Sequence, residues 1–158
     1  MLTSSKQLLV IKLSGSLFFS PQFEKLARVL RTNASSKLSM VLVAGGGKAA
    51  RRYIKAGARL YADQSSLDEI GIAISRLNAE ILRQALGKRA VDFVPRSLWE
   101  IADSVRFNKN RIVVCGGLHP GQSTNAVAAL VAEKTRASWL INATDVDRVY
   151  DKDPNRFK

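Results

Sequence analysis

The stretch MVLVAGGGKAARRYIKAGARLYA, residues 40–62, holds the reading that decides the fold. Met40 to Ala44 is apolar at every position and lacks the in–out alternation of a half-covered strand, so it reads as a strand buried on both faces. Gly45, Gly46 and Gly47 interrupt that run, and Lys48 to Ala62 resumes with helical spacing. A doubly covered strand that passes through a glycine turn into a helix is the first half of a parallel crossover.

The same alternation extends in both directions from this unit. Leu8 to Leu13, Ala90 to Val94, Arg111 to Cys115 and Ser138 to Ala143 are short runs rich in Val, Ile and Leu, and they too read as strands buried on both faces. Pro21 to Thr32, Leu67 to Leu86, Ser97 to Phe107 and Thr124 to Arg136 carry helical spacing. In the longest of these, Leu67, Ile70, Ile74, Leu77, Ile81 and Ala85 fall on one stripe, and Ser66 with Glu69 has the spacing of a capping box. The expected fold class is α/β, a mostly parallel sheet with helices on both faces, because right-handed crossovers place the helices there. No repeat or linker-like tract divides the chain, so residues 1–158 are expected to form one domain.

Composition sets the outer limits. The chain has 158 residues, 46% apolar and 24% charged, which suits a compact domain and excludes a disordered or disulfide-stapled one. Cys115 is the only cysteine and cannot pair within the chain, so a reducing, cytoplasmic setting is expected. Leu8 to Ile11 and Ala126 to Ala132 are far shorter than the roughly 20 residues that span a bilayer, and no membrane segment is expected. Met1 to Lys6 lacks the small-residue cleavage site of an export signal. Lys and Arg outnumber Asp and Glu by 25 to 13, a formal charge of +12. Such a balance suits a plain solvated surface first, and it attracts phosphorylated ligands or nucleic acid alike. The basic residues are scattered in runs of two at most and do not interleave with aromatics along the chain, which makes nucleic acid the less favoured partner.

Ligands of parallel sheets sit beyond the carboxyl ends of the strands, so the turns there carry the functional reading. Gly45, Gly46 and Gly47 allow main-chain amides to face a ligand, and the helix that follows adds about half a positive charge, which stabilises an anion. A flexible turn would have the same residues. The next helix argues for the anion: Lys48, Arg51 and Arg52 stand in its opening turns, where the dipole disfavours cations unless an anion offsets it. Arg51 is placed to fork back onto a phosphate, whereas Lys55 and Arg59 read as a solvated face.

Lys12 precedes a second small-residue turn, Ser14-Gly15-Ser16. An ammonium on a buried strand requires an anion or a route to the sheet edge. Gly116-Gly117 through Pro120-Gly121 to Thr124 gives a third backbone-rich turn, in which Thr124 reads equally as a ligand contact or as a helix cap. His119 is the only histidine, so no multi-His metal site is expected, and Cys115 reads as a core residue. The closely spaced Asp145, Asp147, Asp151 and Asp153 suit lysine orientation, magnesium binding or an ordinary turn.

Together, Lys12-Leu13-Ser14-Gly15-Ser16, Ala44-Gly45-Gly46-Gly47 with Ala50-Arg51-Arg52-Tyr53-Ile54, Leu67-Asp68-Glu69-Ile70-Gly71 with Arg76-Leu77-Asn78-Ala79, Gly116-Gly117 through Ala132-Glu133, and Ala143-Thr144-Asp145-Val146-Asp147 resemble the amino-acid kinase superfamily. Within it they resemble the archaeal type of UMP kinase, and His119 to Thr124 with Ala126 to Leu130 is the most specific piece.

The resemblance implies phosphoryl transfer from ATP to UMP, with Mg2+ carried on the nucleotide, and a homo-oligomer. It implies that Lys12 stabilises the transferring group with donors from Gly15 and Ser16. Gly45, Gly46, Gly47 and Arg51 would then hold the UMP phosphate, Asp68 the ribose, and Thr124 with its loop the UMP. Asp147 would orient Lys12, while Tyr150 and Asp153 would open the ATP pocket. A catalytically impaired binding or assembly module derived from such a kinase is the alternative. Three departures stand out: the family continues beyond the equivalent of Lys158, Arg148 occupies the place of a glycine, and Asn125 that of a frequent acidic residue.

Overall fold

The computed structural model describes residues 7–33 and 38–144. Four strands, β1 (Gln7–Leu13), β2 (Leu38–Ala44), β3 (Val113–Cys115) and β4 (Trp139–Ala143), form one parallel sheet in the order β3-β2-β1-β4. Five helices accompany them: α1 (Phe23–Asn33), α2 (Gly47–Arg59), α3 (Gln64–Leu86), α4 (Leu98–Phe107) and α5 (Thr124–Thr135).

The alternation of side chains along β1 and β2 divides the core into two layers. Leu8, Val10, Val41 and Val43 pack with Ile101 of α4 and with Val127, Ala128 and Val131 of α5. Leu13, Leu42 and Ala44 pack on the other face with Leu30 of α1 and with Ala79, Leu82 and Leu86 of α3. Helices therefore cover both faces, as expected for an α/β sheet. None of the described helices is long and apolar enough to cross a membrane.

Several local expectations are corrected. Ala90 to Val94 is not a strand: Ala90 makes an isolated parallel bridge with Ile112, and Val91 N donates to Ile112 O at 2.9 Å. The chain then bends outward at Asp92, whose carboxylate is gripped by both Nη atoms of Arg111 at 2.6 and 2.9 Å. β4 is not buried on both faces either. It is an edge strand, and Trp139, Leu140 and Ile141 are exposed because β1 is its one neighbour in the sheet among the described residues.

The long helix α3 begins a turn before Leu67, capped by Asp63, whose Oδ1 accepts from Ser66 N at 3.0 Å. The expected box of Ser66 and Glu69 is not used, since Ser66 donates to that cap through its hydroxyl as well. α2 stops at Arg59 instead of Ala62 because Tyr61 takes a left-handed conformation, φ 60°, and Ala62 N closes the turn on Gly57 O at 3.2 Å.

Candidate functional site

β1 and β2 are paired in register to their last residues, Leu13 and Ala44, so the turns that follow them start side by side. Gly45 N donates to Leu13 O at 2.9 Å, and Ser14 N donates to Ala143 O at 2.9 Å. The first two turns then pack main chain on main chain. A Cβ on Gly15 would overlap Gly47 N and lie 2.5 Å from Gly46 C, while Gly47 itself holds φ at +62°. Side chains at either position would push the two turns apart.

The third turn is brought in by α3. Ser75 Oγ accepts from Gly117 N at 2.7 Å and donates to Ile72 O at 2.7 Å. Arg76 donates through Nε to Gly117 O at 3.0 Å and through Nη2 to Leu118 O at 3.1 Å. Asn78 Nδ2 donates to Gly45 O at 2.7 Å, and Asp68 Oδ2 accepts from Gly121 N at 2.7 Å. One helix thus fixes both the Gly45 and the Gly117 turns. Ser75 and Asn78 are each 1% exposed, so both bonds lie in the interior, where they are well protected from water. Reading the sequence missed this role of Ser75, Arg76 and Asn78. The signal was present: Ser75 and Asn78 interrupt the buried stripe of Ile72, Ala79 and Leu82 on an otherwise apolar helix face.

Two of the three turns, those after β2 and β3, enclose a hollow of about 380 Å³, lined by Gly46, Gly47, Arg51, Asp68, Ser75, Gly117, Gln122, Ser123 and Thr124. Gly45 is buried beneath it, and a Cβ there would stand 3.5 Å from Thr124 Oγ1. Ser123, and not Thr124, caps α5 by accepting from Ala126 N at 3.2 Å, which leaves Thr124 to the hollow. Gln122 Oε1 is buried without a hydrogen-bond partner, alone in this among side-chain atoms of the described residues. Both oxygens of Asp68 are engaged within the protein, since its Oδ1 also accepts from Gln64 Nε2 at 2.7 Å.

Gly15 and Ser16 lie on the far side of the Gly46–Gly47 turn, and Ser16 lines a neighbouring hollow with Lys48 and Arg52. Lys12 is half-buried near the end of β1, between Val43 and Asn142 in the sheet register. Asp147, Arg148, Tyr150 and Asp153 lie outside the described residues. His119 is exposed in its turn, and its carbonyl accepts from Gln122 N at 3.3 Å. Burial pushes the Cys115 thiol up to about 12, which keeps it protonated and unreactive at neutral pH.

The electrostatics favour an anion. α2 opens without an acidic residue, and Lys48, Arg51 and Arg52 are exposed there with no ion pair to another described residue. No group of three or more His, Cys, Asp or Glu among the described residues could hold a metal ion.

Comparison with known proteins agrees with this geometry. Residues 7–158 match the amino acid kinase family. The chain is 43% identical over 152 residues to the uridylate kinase of Methanosarcina acetivorans, covering 94% of this chain and 64% of that protein. It is 41% identical to that of Methanocaldococcus jannaschii, covering 95% and 68%. The crystal structure of uridylate kinase from Archaeoglobus fulgidus superposes with a TM-score of 0.75 at 39% identity, covering 92% of this chain and 67% of that one. UMP kinase from Ureaplasma parvum superposes with a TM-score of 0.72 at 25% identity, covering 95% and 72%. The chain thus spans about 64% of the length of the Methanosarcina relative. With its sheet, its glycine turns and residues 7–158 all matching, the chain belongs to the amino acid kinase family.

Proposed function

We propose that this chain carries the acceptor side of a UMP kinase, binding UMP in the hollow between the glycine turns for phosphoryl transfer from ATP. The single observation that carries this reading is the convergence of the Gly45–Gly47 and Gly116–Gly117 turns, with Arg51, on one cavity. Amides at the start of α2 and the Arg51 guanidinium suit a phosphate dianion. Asp68 and Thr124, farther along the same wall, suit the ribose and the remainder of the nucleotide. Gln122 fits this reading as well, because a ligand N–H or O–H would relieve an acceptor that burial otherwise leaves unpaired.

In the reaction, an oxygen of the UMP phosphate forms a bond to the γ-phosphorus of ATP. The bond from that phosphorus to the bridging oxygen breaks, and ADP leaves. Such a transfer needs little covalent help from the protein, so catalysis rests on alignment and charge neutralisation. Lys12 would neutralise charge on the moving group, Gly15 and Ser16 would donate to it, and Asp147 would orient Lys12. Tyr150 and Asp153 would begin the ATP side. Mg2+ bound to the nucleotide phosphates supplies further neutralisation.

The family resemblance implies self-association, and we assign it to α3, where exposed Leu77 lines a groove of about 900 Å³ with Phe93, and Ile81 is exposed one turn farther along the helix. A Leu77→Glu variant is expected to sediment as a smaller species than the parent.

Calorimetry with UMP, set beside an assay for UDP formation, tests the main reading. Binding with turnover supports the kinase, and binding without turnover makes the chain a nucleotide-binding module. No UMP binding overturns both.

A further inference from the structure

We propose that the outer face of α2, together with Phe19 of the β1–α1 connection, is a groove for single-stranded nucleic acid, separate from the UMP hollow. Lys48, Arg52, Lys55 and Arg59 recur at i, i+4, i+7 and i+11, so they form one ridge about 17 Å long at 1.5 Å per residue. All four are exposed, and none has an ion pair to another described residue. The helix carries no acidic residue to offset them.

Beside the ridge lies a groove. One hollow of about 440 Å³ is lined by Phe19, Ala49, Arg52, Tyr53 and Ala56. A second of about 320 Å³ shares Phe19, Ala49 and Arg52 with it and continues toward Ser16 and Lys48. Ala49 and Ala56 make a low floor, and the rings of Phe19 and Tyr53 stand 70% and 61% exposed. Exposed rings beside unpaired cations are the two parts of a single-strand platform, in which bases stack and the backbone tracks the charges.

The length of the ridge decides between ligands. A lone nucleotide would engage one or two of the cations, whereas a strand with a phosphate at each residue uses all four. A diffuse polycation would hold any polyanion and would have no need of the rings. A duplex keeps its bases stacked inside and gains nothing from them. The groove is therefore assigned to an unpaired strand.

The experiment is fluorescence anisotropy with a labelled 12-nucleotide RNA, the DNA of the same sequence, and the RNA duplex, with inorganic polyphosphate as a ring-independent polyanion. The parent protein is expected to bind either single strand more tightly than the duplex. Replacing Phe19 and Tyr53 together by Ala should weaken single-strand binding roughly tenfold, within the range of one base–aromatic stack, while polyphosphate binding stays unchanged. Replacing Arg52 and Lys55 by Ala should lower the slope of log affinity against log salt by roughly 0.7 for each phosphate that is no longer neutralised.

The inference is overturned if neither strand binds, if the duplex binds as tightly, or if removing the rings weakens polyphosphate and RNA equally. Circular dichroism and thermal melting of the same variants report whether the fold is intact. Because strand binding is read without UMP, failure of the kinase reading would leave this result standing, and the converse also holds.

Discussion

Arg51 stands in the opening turns of α2, where a cation meets the positive end of a helix and gains stability only from a nearby anion. It lines the hollow with Gly46 and Gly47, and Arg51→Ala is expected to weaken UMP binding by about 1.5 to 3 kcal/mol, the usual scale of a hydrogen bond to a charged group. Unchanged affinity by calorimetry would remove Arg51 from the site. Asn78 acts at one remove. Its amide is buried and donates to Gly45 O at 2.7 Å, so Asn78→Ala leaves that carbonyl without its partner. A loss of about 1 to 3 kcal/mol in urea unfolding is expected, accompanied by weaker UMP binding because the turn itself is released. Loss of stability with full UMP affinity would show that the Gly45 turn keeps its shape unaided. The position of Arg51 at the start of α2 was legible in the sequence because charge at a helix start is a local anomaly. The role of Asn78 was not, because its partner lies 33 residues away and only packing brings the two together.

At the scale of elements, α3 is the strut that sets the distance between the Gly45 and Gly117 turns. It starts one turn before the position its spacing suggests, since Ser66 with Glu69 fits a capping box but Asp63 offers a carboxylate to both the amide and the hydroxyl of Ser66. Farther along the helix, the hydrogen bond from Arg83 holds the Glu80 carboxyl down from its ordinary value near 4.5 to about 2. Between these values the unfolded chain binds more protons than the folded one. The contribution of this pair to stability is therefore complete above about pH 4.5 and is lost as the pH falls toward 2. Glu80→Gln is expected to flatten that acid limb of a melting-temperature profile and to leave its shape above pH 5 unchanged. An identical acid limb in both proteins would show that the pair is screened by solvent. The fifth expected strand is absent: Ala90 to Val94 is apolar enough to pair, yet it makes a single bridge to Ile112 and then bends at Asp92, whose carboxylate pairs with Arg111.

For the molecule as a whole, the asymmetry of the sheet is the main feature. Among the described residues, β2 lies inside it between β3 and β1, whereas β4 bears Trp139, Leu140 and Ile141 at an edge where they stand 63%, 47% and 44% exposed. Open edges with apolar side chains template association between chains. Ile141→Lys is expected to reduce light scattering of concentrated protein without lowering its melting temperature, and equal scattering would show that this edge is covered in solution. By itself, the amino-acid sequence determined the βα alternation, the parallel sheet and the glycine turns at the carboxyl ends of its strands, because short apolar runs, helical stripes and glycine clusters are local physical facts. Tertiary structure alone decided that the turns after β2 and β3 share one cavity, that Ser75, Arg76 and Asn78 hold them there, and that Phe19 stands beside Arg52 and Tyr53. Each of these depends on residues far apart in the chain, and only the packing of helices across a twisted sheet fixes which distant groups come within bonding reach.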